Sequence, residues 1–328
     1  LSTPHTGTLR YDEDKPRIPA AAITVEDAAF IARLAGRGLP VEVRLTMEAR
    51  DGGMVESGNV VAQLEGRERP QEIVVIGGHI DSWDVGQGAH DNGSGVVIAM
   101  EALNLLRRLG LAPRRTIRVV LWTNEENGLM GAKGYAKAHE EELPDHVAGI
   151  ESDTGGARVV QLNVQHRDQA VADRARGRLS AIASLLQPLG ANRVVPGSSG
   201  ADLGPLRETG MVGIGLRHDV SHYFDIHHTE ADTLDKVEAS DLDQGVASLA
   251  ITAYVLADIP GTLVSDQSDV SGYQLRGRSV VFDASPEFCR CASVPWSDWT
   301  SCRRAWTRCP SCILRAAGSA PLLVTNRA

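Results

Sequence analysis

The sequence predicts an α/β protein, a three-layer αβα sandwich built on a mixed, largely parallel central sheet. Short apolar runs rich in valine and isoleucine, such as IVVIGGH at 73–79, suit strands that are buried on both faces. Longer segments with apolar residues at helical spacing separate these runs. Because a parallel neighbour needs a long crossover, the alternation of strands and helices favours a largely parallel sheet covered by helices.

The first elements of the chain have clear local signals. Thr24 precedes a segment with acidic residues in its first turn and apolar residues at helical spacing, and Gly38 closes it, which predicts a helix over 24–38. Apolar and polar residues alternate in VEVRLTMEAR, which predicts a strand over 41–50. The segment GNVVAQLEG predicts another strand over 58–66.

From residue 73 onward, strands and helices follow one another. The β-branched run at 73–79 predicts a central strand, and the amphipathic segment 93–109, ended by Gly110, predicts the helix after it. The same criteria predict further strands over 116–124, 146–153, 161–164 and 211–216, and further helices over 129–142, 168–187 and 239–257.

Composition divides the chain into three parts, 1–50, 51–260 and 261–328. The last part has eight arginines, five acidic residues, no lysine and all five cysteines. Three interpretations of this tail stay open: a small disulfide or metal module around the CxxC at 309–312, an extension lying on the core, and the product of a shifted reading frame. The cysteine spacings match no common zinc pattern, and 51–260 is expected to hold the functional site.

Charge and composition argue against several classes of function. The formal net charge of −9 argues against nucleic-acid binding, because neutralising phosphates requires a cationic face. No apolar stretch reaches the roughly 18 residues of a membrane-spanning helix. The chain opens at Leu1 rather than Met and has no leader-like segment, which predicts a fragment or a processed product. Residues 51–260 contain no cysteine, which excludes thiol catalysis there.

Acidic and imidazole side chains stand where the predicted strands end. His79 ends a strand, Asp81 follows two residues later, and Asp91 lies in a glycine-lined turn before a helix. Asp81 could accept a hydrogen bond from the imidazole nitrogen of His79 that faces away from a metal. Taken singly, His79 also fits a core histidine, and Asp91 fits a helix N-cap.

The same pattern continues further along the chain. Glu125 and Glu126 follow a strand, Asp153 ends the next one, and His228 lies in the loop HHTEADT, where Asp232 could orient it. Two adjacent carboxylates are costly unless they are solvated or face cations. One of them could bind a metal while its neighbour acts on water as a general base. Taken singly, each of these residues also fits a solvated loop.

Together these residues predict a two-metal hydrolase. The carboxyl ends of parallel strands meet at one edge of the sheet, which is where α/β proteins build their sites. The expected ligands are oxygen and nitrogen atoms without sulfur, a set that suits Zn²⁺ or Mn²⁺ bridged by a carboxylate.

Five segments carry a resemblance to a known family: GGHIDSWDVGQGAHDNGSG, RVVLWTNEENGLMGA, IESDTG, GADLGPL and YFDIHHTEADTLDKV. They are similar to the carboxypeptidase Q group of the co-catalytic dizinc peptidases, which also include the bacterial leucyl aminopeptidases. The resemblance extends over roughly residues 20–258 and implies the zinc-peptidase, phosphorylase/hydrolase-like fold. Residues 1–50 resemble the returning segment of an inserted apical domain, and the tail 261–328 resembles nothing in the family.

The resemblance implies a role for each candidate residue. It implies one zinc bound by His79 and Asp153, a second bound by Glu126 and His228, a bridge formed by Asp91, a general base in Glu125, and a partner of His79 in Asp81. Candidates for the substrate-binding rim are Ser199, Asp202, Tyr223 and His227, with Ser198 beside them. An aspartate there could pair with a substrate ammonium, and a serine-rich loop could instead bind a carboxylate.

Two residues depart from the group. His90 stands where its members usually have methionine, and Asn92 stands where they often have a second aspartate. His90 either points into the fold or contacts the metals or the substrate, and the sequence leaves both alternatives open.

The resemblance implies a zinc-dependent exopeptidase that hydrolyses dipeptides or short peptides, with two Zn²⁺ ions and with Mn²⁺ or Co²⁺ as substitutes. Alternatives within the same fold are an aminopeptidase acting on longer peptides, a glutaminyl cyclase, and a receptor-like or truncated domain without activity. Small peptides are the expected partners, with homodimerisation as a further expectation. The relatives suggest a secreted or periplasmic location.

Overall fold

A computed structural model describes residues 3–48 and 52–265 of the chain. Seven strands form one sheet: β1 (Val60–Leu64), β2 (Arg69–His79), β3 (Arg115–Trp122), β4 (His146–Glu151), β5 (Val159–Gln165), β6 (Arg193–Pro196) and β7 (Val212–His218). The α-helices are α1 (Val25–Gly36), α2 (Ser94–Arg108), α3 (Met130–Ala138), α4 (Gln169–Ala183), α5 (Gly204–Arg207), α6 (Tyr223–Ile226) and α7 (Ala239–Asp258).

The sheet is mixed and largely parallel, which confirms the predicted fold class. Its strand order is β1-β3-β2-β4-β7-β5-β6. The pairs β1–β3 and β5–β7 are antiparallel, and the other four pairs are parallel. Strands β3, β2, β4 and β7 therefore run side by side in one direction, so that their carboxyl ends meet at the same edge of the sheet.

Helices cover both faces of the sheet. Alternate residues of β2 point to opposite faces, as in any strand. Ile73 and Val75 join a buried cluster with Tyr135 of α3 and Leu206 of α5 on one face. Val74, which lies between them, is equally buried on the other face, where α2 and α7 pack against β2 and against each other. These contacts give the three layers that the sequence predicts.

Most predicted elements are confirmed within a few residues, and two differences are informative. The strand predicted over 41–50 is wrong for 41–48: this stretch has no strand assignment, and among the described residues no strand pairs with it. Residues 49–51 lie outside the described residues. Strand β6, in contrast, is not predicted by the sequence, because RVVP is short and ends in proline.

The predicted division of the chain stays largely a prediction. All described residues belong to one compact unit, and this unit does not by itself separate 1–50 from 51–260. From residue 266 on, the predicted tail lies outside the described residues. Within 3–48 and 52–265, no helix combines the length and the hydropathy that crossing a bilayer requires.

Candidate metal centre

His79 lies at the carboxyl end of β2 and is almost completely buried. Its Nδ1 is 2.8 Å from the backbone carbonyl oxygen of Asp81 and 3.6 Å from a carboxylate oxygen of the same residue. A carbonyl only accepts hydrogen bonds, so this contact places the proton on Nδ1 of the neutral ring. The other nitrogen, Nε2, is 3.2 Å from Oδ1 of Asp91 and 3.3 Å from Oδ1 of Asp153.

Asp91 lies in the turn between β2 and α2, where its peptide bond to Asn92 is cis. Its two carboxylate oxygens face different imidazoles: Oδ1 faces His79, and Oδ2 is 3.2 Å from Nε2 of His228. The imidazole of His228 belongs to the loop that follows α6, far along the chain from Asp91. Asp91 therefore lies between two sets of donors, as a bridging carboxylate must.

Asp232 holds this turn and does not contact His228 as the sequence analysis expects. Its Oδ1 accepts a hydrogen bond from the backbone N–H of His90 at 2.7 Å, and its Oδ2 accepts one from the N–H of Asp91 at 3.0 Å. Acceptors on two successive amides fix the backbone of the turn, and with it the direction of the Asp91 carboxylate.

Glu125 and Glu126 follow the end of β3, and the carboxylate of Asp81 holds both of them. Its Oδ1 accepts from the N–H of Glu125 at 3.0 Å, and its Oδ2 accepts from the N–H of Glu126 at 3.2 Å. Asp81 thus contacts His79 mainly through its backbone and orients the two glutamates through its side chain. The sequence indicates only a contact between Asp81 and His79, and indicates it for the carboxylate and not for the backbone.

The two glutamates have different surroundings. Oε2 of Glu126 is 2.9 Å from Nε2 of His228. Oε1 of Glu126 is buried and has no hydrogen-bond partner among the described residues. Burial, followed by repulsion from Asp153, raises the pKa of Glu125 to about 7. A carboxyl group with a pKa near neutrality can both accept and release a proton.

The donors therefore form two sets around one shared carboxylate. His79 and Asp153 lie on one side of Asp91, and Glu126 and His228 lie on the other. Carboxylates this close to one another repel unless cations lie between them. The unpartnered Oε1 of Glu126 and a donor set of nitrogen and oxygen atoms both fit a pair of divalent cations such as Zn²⁺.

The expected substrate-binding residues are only partly accessible. Ser199 and Asp202 are fully buried, and both carboxylate oxygens of Asp202 lack a hydrogen-bond partner among the described residues. Burial raises the pKa of Asp202 to about 8. Direct contact of these two side chains with a peptide is not supported, because neither exposes any surface to solvent. Ser198, in the same loop, is exposed.

Tyr223 and His227 remain at the site. Their rings lie 4.8 Å apart, and Nε2 of His227 is 3.2 Å from Oδ2 of Asp91. Tyr223 also lines a cavity of about 400 Å³, together with His90 and Ile226.

His90 points into the fold. Its Nδ1 accepts a hydrogen bond from the N–H of Gly156 at 3.0 Å, and its Nε2 is 3.0 Å from the carbonyl oxygen of Lys236. Both ring nitrogens are thus used by the backbone, which favours the first of the two alternatives that the sequence leaves open. The imidazole ties the Asp91 turn to two neighbouring loops.

Three residues at the site are not found by the sequence analysis. Trp83 stacks on His228 with ring centroids 4.9 Å apart, and Thr6 and His5 contact His228 and His227 from the start of the chain. His5 and Thr6 each lie 222 residues from their partners. No strand end or motif marks His5 or Thr6, so no local signal in the sequence could have indicated their contacts. Trp83, in contrast, lies within the segment GGHIDSWDVGQGAHDNGSG that predicts the site.

The geometry can be compared with known proteins. The profile of peptidase family M28 matches residues 59–253, which is more than half of the chain. The chain belongs to peptidase family M28. This finding confirms the predicted family, because the chain is also 39% identical over 259 residues to carboxypeptidase Q of Mus musculus. That match covers 79% of this chain and 54% of the mouse protein.

Two solved structures are similar to the M28 chain described here. A peptidase M28 precursor from Shewanella amazonensis SB2B is 39% identical with a TM-score of 0.71, over 80% of this chain and 58% of that one. An aminopeptidase from Aneurinibacillus sp. strain AM-1 is 27% identical with a TM-score of 0.50, over 63% of this chain and 49% of that one. The chain thus spans about half the length of the curated relatives it matches.

Proposed function

We propose that this chain is a zinc-dependent exopeptidase that hydrolyses dipeptides or short peptides. The observation that carries the proposal is the division of donors around Asp91. His79 and Asp153 lie on one side, and Glu126 and His228 lie on the other, where the imidazole of His227 also faces Asp91. Membership of a peptidase family and the similarity to carboxypeptidase Q support it.

The residues suited to hold two Zn²⁺ ions are those of the two donor sets. His79 and Asp153 would hold one ion, Glu126 and His228 would hold the other, and Asp91 would contact both. When bound, such a pair lowers the pKa of a coordinated water and polarises the scissile carbonyl. Mn²⁺ and Co²⁺ are substitutes that the same oxygen and nitrogen donors accept.

Glu125 is the proposed general base. Glu126 lies 2.9 Å from Nε2 of His228, whereas Glu125 has no such close ion pair with a histidine within the described part of the chain. Glu125 is held beside the donor sets by the hydrogen bond from its N–H to Asp81. Its carboxylate would take a proton from the attacking water and pass it to the departing amine. Asp81 serves this step as a positioning residue, because it fixes the loop that carries both glutamates.

The cavity beside Tyr223 supports a small substrate. Its volume of about 400 Å³ lies at the lower end of the range for ligand pockets, which is roughly 300–1,000 Å³. Tyr223, which lines this cavity, and His227, whose ring lies 4.8 Å from that of Tyr223, are the side chains proposed to contact the substrate.

An aminopeptidase activity on longer peptides is the second candidate, favoured by the likeness to the Aneurinibacillus aminopeptidase. Dipeptides blocked at the amino end and at the carboxyl end separate the two activities. Hydrolysis of only the amino-blocked substrate supports the carboxypeptidase type, and hydrolysis of only the carboxyl-blocked substrate supports the aminopeptidase type. A secreted or periplasmic location and a homodimeric assembly remain proposals that rest on the relatives.

The experiment that tests the proposal is the variant Glu125→Gln. We expect unchanged zinc content and a fall in kcat of about 10²–10⁴-fold, the usual contribution of a general base. The matched control is Glu65→Gln. Glu65 is exposed and follows the last residue of β1, so this variant should retain full activity. Near-normal turnover by Glu125→Gln would contradict the assigned role. Chelation should abolish activity in the wild type, and added Zn²⁺ should restore it.

A further inference from the structure

Two adjacent histidines approach the same carboxylate oxygen. The rings of His227 and His228 stack with centroids 3.7 Å apart, and each places Nε2 3.2 Å from Oδ2 of Asp91. Stacked neighbours of this kind would compete for one cation. We propose that residues 3–8, here called the N-terminal strap, hold the two rings in opposite tautomers, so that His228 is a metal ligand and His227 is a hydrogen-bond donor.

Thr6 determines the tautomer of His228. Nδ1 of His228 is 3.3 Å from the carbonyl oxygen of Thr6. Because a carbonyl only accepts, the proton of the neutral ring lies on Nδ1, and the lone pair lies on Nε2. Nε2 is the atom that faces Asp91 and Glu126. The contact therefore leaves the ligating nitrogen free for a cation.

Thr6 also holds the backbone of His228. Its N–H donates to the carbonyl oxygen of His228 at 3.0 Å, and its Oγ1 donates to the same oxygen at 2.7 Å. His228 has a φ of 55°, a left-handed conformation that is unfavourable for a residue with a Cβ. Strained backbone of this kind persists where its surroundings hold it. Thr6 thus makes three contacts with one strained residue.

His5 determines the tautomer of His227. Its Nε2 is 2.9 Å from Nδ1 of His227, and one of these two nitrogens carries the proton. If His5 donates, Nε2 of His227 carries a proton and donates to Oδ2 of Asp91. For His228 a cation can lie between Nε2 and its two carboxylates, those of Asp91 and Glu126. Nε2 of His227 faces only the Asp91 carboxylate among the described residues, so the opposite assignment would leave its lone pair against a carboxylate oxygen 3.2 Å away, which is electrostatically unfavourable. His5 is therefore the donor, and a protonated Nε2 cannot bind a metal.

The strap makes the start of the chain part of the metal centre. His5 and Thr6 are positioning residues, because each contacts the Nδ1 of an imidazole whose Nε2 faces Asp91. Asp232, the other candidate for orienting His228, is committed to two backbone amides. This inference rests on the zinc binding proposed above, and it assigns the two histidines different tasks.

The first test is a series of variants at Thr6, read by competitive zinc titration. Thr6→Pro removes the N–H and the hydroxyl, and we expect the affinity for one of two zinc ions to fall about 10–100-fold, the usual effect of losing a residue that orients a ligand. Thr6→Ser retains both donors and should bind like the wild type. Thr8→Pro, in the same strap, is the control for a new proline. Unfolding of the metal-free variants in urea should match that of the wild type.

The second test is the protonation of the imidazole nitrogens, read by ¹⁵N NMR of the zinc-loaded protein. We expect a proton on Nε2 of His227 and on Nδ1 of His228. His5→Ala should leave two bound zinc ions but lower the share of His227 that carries its proton on Nε2, because only Asp91 would then favour that tautomer.

Three results would count against the account in different ways. Wild-type affinity for both ions in Thr6→Pro, or a proton on Nδ1 of His227 in the wild type, would overturn the inference alone. A wild-type chain that binds no zinc would overturn the proposed function and the inference with it.

Discussion

The N-terminal region, residues 3–48, and the sheet region, residues 58–265, follow the same local rules but bury very different amounts of surface. In α1, Thr24 caps the first turn by accepting from the N–H of Asp27 at 3.0 Å. Nevertheless every side chain of α1 keeps part of its surface exposed, with Val25 82% and Phe30 53% exposed. In α2, six residues are buried against the sheet and α7. Local signals are thus sufficient for a helix to form but not for it to pack.

Strands depend on their neighbours more strongly than helices do. Val41 and Val43 alternate with polar residues as the residues of β1 do, but both are exposed, and 41–48 has no strand partner among the described residues. β1 pairs with β3 along its whole length, from Val60 to Leu64. A helix satisfies its backbone internally, whereas a strand requires a second segment to accept and donate its hydrogen bonds.

The strap is the exception within the N-terminal region. His5 and Thr6 contact the two histidines of the metal centre. The hydrogen bonds seen within residues 9–48, in contrast, join residues that are close in the sequence. A region that buries little surface can therefore still contribute to the metal centre. We expect substitutions in the strap to affect zinc binding more than they affect the free energy of unfolding.

The largest expected difference between the regions is in the cost of truncating an apolar side chain. Ile150, on the central strand β4, is fully buried, and Ile150→Ala should lower the free energy of unfolding by about 2–5 kcal/mol. Phe30→Ala in α1 should change it by less than about 0.5 kcal/mol, because the ring is already half-exposed. Urea denaturation measures both. Equal losses of unfolding free energy in the two variants would mean that α1 packs against another surface in solution. That result would contradict the difference between the two regions.

The sheet region also carries a buried histidine that makes stability depend on pH. Burial lowers the pKa of His146 to about 4, against 6.5 when it is exposed. Its Nδ1 donates to the carbonyl oxygen of Glu142, and its Nε2 accepts from the hydroxyl of Tyr135, each at 2.9 Å. Between these two pKa values the unfolded chain binds a proton that the folded protein does not bind, so stability falls as the pH falls.

The pH dependence of stability follows from the difference between the two pKa values of His146. That difference is worth roughly 3 kcal/mol of unfolding free energy, since one pKa unit is worth about 1.4 kcal/mol. We expect the free energy of unfolding to decrease from pH 7 to pH 4 and His146→Gln to flatten that decrease. His222→Gln, at an exposed histidine, should leave the slope unchanged. A slope that is the same with and without His146 would refute the assignment.

The smallest expected effect compares two helix caps. Asp168 caps α4 by accepting from the N–H groups of Ala170 and Val171 at 2.8 and 3.2 Å, and Asp168→Ala should lower the global stability. Thr24→Ala removes a comparable cap from α1. Because α1 is not packed into the core, we expect faster amide exchange within α1 and an unchanged free energy of unfolding. A global loss from Thr24→Ala would show that α1 unfolds together with the sheet.

The central strands and long helices could be predicted from the sequence because burial on both faces leaves a strong apolar pattern. The run IVVIGGH predicts a central strand, and the structure confirms it: these residues form part of β2, which lies between β3 and β4. Candidate ligands such as His79 and Glu126 could be predicted because they stand where parallel strands end. The hydrogen bonds of Asp232 and Thr6 could not, since they join residues more than 140 positions apart and depend on loop paths.

The burial of Ser199 and Asp202 could not be predicted for a related reason. The loop GSSGADL is polar and glycine-rich, which in sequence is typical of an exposed rim. In the structure, the N–H and Oγ of Ser199 bond to Gln165, and the N–H of Leu203 donates to buried Glu151. Side-chain partners from neighbouring strands draw the loop inward, and composition alone carries no information about those partners.

The central claim is that two divalent cations lie on either side of Asp91. Anomalous diffraction at the zinc edge, from a crystal of the zinc-loaded protein, tests it most directly. We expect two peaks about 3.5–4 Å apart, as in other two-metal sites, one beside His79 and Asp153 and the other beside Glu126 and His228. A single peak, or peaks remote from these side chains, would contradict the account.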